Sequence, residues 1–136
     1  MTDLRALAQF LQDLESADFI PGEISEPVLR PDGIYTLPYA RLSAVADALV
    51  KAAYAQGWVR SDFNWPEWAG TQAATRLRED AEALSEASAD DLSRLLSVCI
   101  RRDRFCEGAL LEDFESGLIL RIVRRAAALL ADEPSP

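Results

Sequence analysis

The chain has 136 residues, enough for one domain with a single core, and its 49% apolar and 27% charged content is globular in proportion, not disordered. Fourteen bases against twenty-three acids leave a formal charge of −9, which argues against direct nucleic-acid binding, where Lys and Arg contacts to phosphate supply the affinity. There is no histidine, which excludes Ser-His-Asp and Cys-His nucleophile activation, imidazole acid–base catalysis and His-bearing zinc sites.

In chain order, a first helix is expected from a Thr2 cap to about Ser16, with Leu4, Leu7, Ala8, Leu11 and Leu14 on one face. No apolar run reaches the roughly 18 residues of a membrane span. "MTDLRALAQF" also lacks the basic start and apolar core of a signal peptide. A cytoplasmic protein without membrane contact is expected. Residues 18–43 hold four of the seven prolines, so no long helix survives there. Within them "RPDG" is a turn signal between "PVL" and "IYTL", which predicts a short β-hairpin near 27–38.

A second helix starts near Ser43, buries Leu42, Val45, Ala46, Leu49 and Ala53, and stops at Gly57. The loop "GWVRSDFNWPEWAG" follows, and Pro66 suits the first turn of a third helix with Ala74, Leu77, Ala81 and Leu84 buried. "SADD" at 88–91 reads as a capping box for a fourth helix with a Leu92, Leu95, Leu96, Cys99 stripe. The last helix, about Leu118 to Ala131, buries Ile119, Ile122, Val123, Ala126 and Leu130, with Arg121, Arg124 and Arg125 on a solvated face. The expected fold is mainly α: a single domain of five to six helices over 1–131 with the hairpin inserted, and a frayed tail at 132–136.

The fourth helix poses a conflict near its end. At 100° per residue, counted from Leu92, a continuous helix puts Asp103 at about 20°, on the buried side, and Phe105 at about 220°, facing solvent. Both are disfavoured. The helix is therefore expected to end near Arg104, with Phe105 turning inward, Gly108 relieving the corner and a new helix running from about Ala109 to Ser116; the alternative is a continuous helix in which Asp103 is buried and paired with a neighbouring arginine. Either way Arg102, Asp103, Arg104 and Glu107 gather at a helix junction. They could bind an anion or a partner's charged side chain, since the arginine fork matches carboxylate and phosphate. They could equally be a structural ion network pinning two helices.

The motif "DRFCEG", the following "FESG", and the upstream "FNWPEW" and "GIYTLPY" together resemble a family of uncharacterised bacterial domains, over roughly residues 18–125. The resemblance implies a single domain and no known activity. Some members carry histidine after the motif's glycine, where this chain has Ala109.

Four aromatics between Trp58 and Trp68, with Tyr54 upstream, form either a minicore or an interface anchor. Trp65 and Trp68 are the binding candidates there, beside Arg102, Asp103, Arg104 and Glu107 at the junction. Cys99 and Cys106 on one helix would lie about 10 Å apart, too far for a disulfide. No cofactor or resident metal is expected, although Glu107, Glu112 and Glu115 could be imagined around magnesium. The leading expectation is a non-catalytic module docking a protein partner. The alternatives are a carboxylate-based enzyme at Arg102–Glu107, metal-dependent or not, and an acidic decoy of a nucleic-acid-binding protein.

Overall fold

A computed structural model describes residues 3–36 and 40–133. It is a mainly α single domain with one two-stranded antiparallel ribbon. Its elements are α1 (Leu4–Ala8), α2 (Leu11–Glu15), β1 (Gly22–Ile24), β2 (Ala40–Leu42), α3 (Ala44–Ala55), α4 (Trp65–Ala69), α5 (Gln72–Glu79), α6 (Ala81–Ser85), α7 (Ala89–Arg102), α8 (Ala109–Glu115) and α9 (Leu118–Ala131).

There are more helices than the sequence suggests because two expected ones are interrupted. The first breaks at a tight turn, where the Phe10 N–H donates to the Leu7 C=O at 3.0 Å, and Leu14 still reaches the core beyond it. Its cap is Asp3, whose carboxylate accepts from the Arg5 N–H; Thr2 lies outside the described residues. The helix expected from Pro66 to Leu84 becomes α4, α5 and α6. Thr71 and Asp80 each offer a side-chain oxygen to N–H groups two or three residues on, which restarts the helix instead of continuing it. The phase shift leaves Ala81 exposed, while Ala74, Leu77 and Leu84 are buried as expected.

The remaining boundaries follow from local chemistry. Ser43 caps α3 and Gly57 follows it at φ +78. Asn64 caps α4 with Pro66 in the first turn. Ser88 and Asp91 form the reciprocal capping box of α7. The ribbon is longer than the hairpin near 27–38. Its ladder pairs Glu23 with Arg41 at the base, and a separate Leu29–Tyr35 bridge lies near the turn at 30–33. Residues 37–39 of that stretch, and 134–136 of the expected frayed tail, fall outside the described residues.

Helix α9 runs through the middle, against α1, α2, α6, α7 and α8, and contributes the fully buried Ile119, Ile122, Val123 and Ala126. Beyond its first turn α7 is buried on nearly every face, including Ser93 and Ser97. Those two hydroxyls donate to the Trp58 C=O at 2.9 and 3.1 Å, which satisfies polar groups that would be costly to bury alone.

Candidate functional site

The corner between α7 and α8 lies where the sequence places it. Helix α7 stops at Arg102, and Gly108, at φ +89, is the N-cap of α8. A Cβ at Gly108 would meet nothing within 4 Å, so Gly108→Ala carries a purely backbone penalty. A loss of about 1 kcal/mol is expected, to be read as a lower denaturant midpoint with an unchanged slope.

The four junction side chains take separate partners. Asp103 accepts the Leu110 N–H at 3.1 Å and so caps α8. Arg104 donates to the Tyr54 hydroxyl at 3.2 Å, and Glu107 accepts the Ala40 N–H of β2 at 3.1 Å. Arg102 turns inward toward Asp113, 4.0 Å away. Phe105 does not turn inward as expected. It is 81% exposed and lies against the Trp65 ring, with centroids 6.0 Å apart and planes 31° apart. Once Asp103 spends its carboxylate on the α8 cap, the corner is held without an apolar plug.

The aromatic segment divides into core and surface. Trp58 is completely buried, and its Nε1–H donates to the Asp3 C=O at 2.8 Å. Trp68 packs on the core and meets Phe63 edge-on, centroids 6.2 Å apart, with Arg60 over the other ring. Trp65 is half-buried and reaches the corner. With Phe105, the half-exposed Tyr54 and Arg104, it forms a mixed aromatic and basic surface. The tryptophan segment and the DRFCEG corner, remote in sequence, meet at Trp65 and Phe105.

Beneath this surface lies a polar centre that the sequence reading missed. Asp113 on α8 is 4% exposed and receives Arg78 Nη1 of α5 at 2.9 Å. Its second oxygen, Oδ2, and the Arg102 Nε are buried without a hydrogen-bond partner among the described residues. Cys99 adjoins the pair, with Arg78 Nη2 3.8 Å from its sulphur. Burial, with Asp113 beside it, pushes the thiol pKa far up, so Cys99 is a neutral, unreactive thiol. Burial opposes the Arg78 charge as well, but its neighbours outweigh that and hold it above its usual value. With the thiol protonated, Asp113 is its counter-charge.

The signal for this centre was present in the sequence. Asp113 stands three residues after Leu110, on the buried face of α8, and Arg78 four after the buried Ala74. The arginines of α9 are likewise tied down more than a solvated face implies. Arg125 donates to the Ala87 C=O at 2.8 Å, Arg121 to the Arg78 C=O at 3.5 Å, and Arg124 pairs with Glu15 at 3.1 Å. Glu107, Glu112 and Glu115 are each exposed, and among the described residues no three His, Cys, Asp or Glu side chains gather to hold a metal ion. No helix among the described residues is long and apolar enough to cross a membrane.

The arrangement of helices, ribbon and corner accompanies a family match that spans nearly the whole chain, residues 1–132. The chain belongs to DUF6508, a family of unknown function. The match extends past both ends of the stretch that carried the resemblance, taking in α1 and all of α9. No curated protein and no solved structure matches the chain.

Proposed function

We propose that this DUF6508 domain is a protein-interaction module whose contact surface is the α7–α8 corner, with Phe105 as anchor and Trp65 as its support. The observation that carries the reading is Phe105, 81% exposed yet seated on a half-buried tryptophan. Aromatic and arginine side chains are the residues most enriched among interface anchors, and here Arg104 and Tyr54 flank the pair. The separate commitments of Asp103 and Glu107 support a contact surface over a shared catalytic or anion-binding cluster. The module acts as a cytoplasmic protein that binds another polypeptide and transforms nothing.

A photo-crosslinking residue placed at Phe105 in the full chain, expressed in cells, tests this. One discrete adduct with a different polypeptide is expected, absent when the probe sits at the exposed Gln12 and lost on adding Trp65→Ala. No adduct, or equal adducts from both positions, would overturn the reading. Phe105→Ala is expected to leave thermal stability within about 0.5 kcal/mol of wild type, as an exposed position does, while abolishing the adduct that a probe at the neighbouring, exposed Cys106 gives.

A further inference from the structure

The β-ribbon leaves one edge open. Gly22 and Ile24 oppose Leu42 and Ala40, and the ladder bonds run through the flanking residues, the Ser43 N–H to the Pro21 C=O at 2.8 Å among them. Alternation in an antiparallel pair therefore turns the N–H and C=O groups of Gly22, Ile24, Ala40 and Leu42 away from the partner strand. On the β2 side, the Ala40 N–H is taken by Glu107 of the body. On the β1 side, neither the Gly22 nor the Ile24 N–H meets an acceptor among the described residues.

The ribbon is also apolar to an unusual degree for a solvated element. Ile20 and Ile24 are 68% and 62% exposed. Farther out, Leu29 and Tyr35 are cross-strand partners on one face, and Val28 and Ile34 lie on the other, all between 57% and 63% exposed. A two-stranded ribbon by itself is marginal in water, and an apolar edge strand with unpaired amides is a template for another strand.

The near-neutral ribbon, with its self-complementary edge, is where a second copy meets least repulsion. Residues 20–42 contain Glu23, Glu26 and Asp32 against Arg30 and Arg41, a net of −1, so −8 of the chain's −9 lies elsewhere. Two copies repel each other over the helical body and scarcely at all over the ribbon. Antiparallel edge pairing is moreover self-complementary, as a two-fold contact requires.

We infer that two copies of this chain pair through their β1 edges into one four-stranded antiparallel sheet, independently of any partner at Phe105. Gly22 of one copy then faces Ile24 of the other, and the two Ile24 side chains become diagonal neighbours on one face of the sheet. The two Glu23 side chains face each other across the axis, each beside the Arg41 of its own ribbon. That like-charge pair weakens the contact and makes it reversible.

Sedimentation of the full chain over a range from micromolar to hundreds of micromolar tests this. The expected mass rises with concentration from 15.0 kDa toward twice that value. Ile24→Pro removes an outward amide and no ladder bond, so the ribbon tolerates it; it is expected to stay monomeric at every concentration with an unchanged melting curve. Should that variant unfold, Ile24→Lys, which alters only an exposed side chain, is expected to give the same monomer. Glu23→Gln is expected to dimerise at several-fold lower concentration. A wild-type chain that stays at 15.0 kDa throughout overturns the inference. So does dimerisation undiminished by Ile24→Lys, or an edge that pairs only with a strand from another polypeptide. None of these outcomes bears on the crosslink at Phe105.

Discussion

Asp113→Ala is expected to lower the melting temperature by about 10 °C, the largest effect of any single polar substitution in the chain. The carboxylate is buried, and removing it leaves the Arg78 guanidinium facing the neutral Cys99 thiol with Arg102 alongside. Breaking one side of a buried pair costs about 3–5 kcal/mol, and the 29% exposure of Arg78 puts the value near the lower end. At this chain length each kcal/mol moves the melting point by roughly 3 °C. The paired replacement Arg78→Met with Asp113→Leu separates this account from a simple packing loss. It removes both charges of the close pair and leaves only Arg102, 37% exposed, without its carboxylate, so it is expected to recover part of the loss, since apolar substitutes for a buried pair are often neutral or better. A double variant as unstable as Asp113→Ala would mean that the pair's shape matters and its charge does not.

Trp58→Ala is the second large effect. Its ring is completely buried and fills the space among α1, α3 and α7. Its Nε1–H holds the Asp3 C=O, and its own C=O accepts from Ser93 and Ser97. Truncating a buried tryptophan costs about 3–5 kcal/mol through lost transfer energy and the cavity left behind. Trp58→Phe keeps most of the volume but loses the Nε1–H bond to the Asp3 carbonyl, which still accepts the Ala6 N–H at 3.1 Å, and an intermediate loss of about 1 kcal/mol is expected. Calorimetry of the three proteins orders them wild type, Trp58→Phe, Trp58→Ala; a Phe variant as stable as wild type would remove the Asp3 hydrogen bond from the account. Fluorescence gives a second check. Trp58 is shielded, while Trp65 and Trp68 are half-buried, so acrylamide is expected to quench part of the emission and to quench less of it in Trp65→Phe.

The local punctuation of the chain is written in short runs of adjacent residues. The capping box at Ser88, the stop of α3 just before Gly57, the proline in the first turn of α4 and the corner at Gly108 are each settled by a few adjacent residues. Their cause is a side-chain oxygen, a missing amide proton or a positive φ, none of which needs distant contacts. The same locality explains why DRFCEG was legible as a corner. The breaks at Thr71 and Asp80 were legible in principle too, as residues that compete with the helix, but an uninterrupted apolar spacing at Ala74, Leu77, Ala81 and Leu84 hid them.

Which polar residues are spent on the fold, and which remain for a partner, depends on contacts between distant segments. Sequence proximity groups Arg102 with Asp103, yet its nearest carboxylate is Asp113 on the next helix, and the main partner of Asp113 is Arg78, thirty-five residues away. Phe105 was expected inside because aromatic residues usually are, and it lies outside because Trp65 from a different element meets it there. Burial of a charge or exposure of a ring depends on what other segments bring within a few ångströms. One helix's periodicity says which way a side chain points, and the neighbouring elements decide what it finds there.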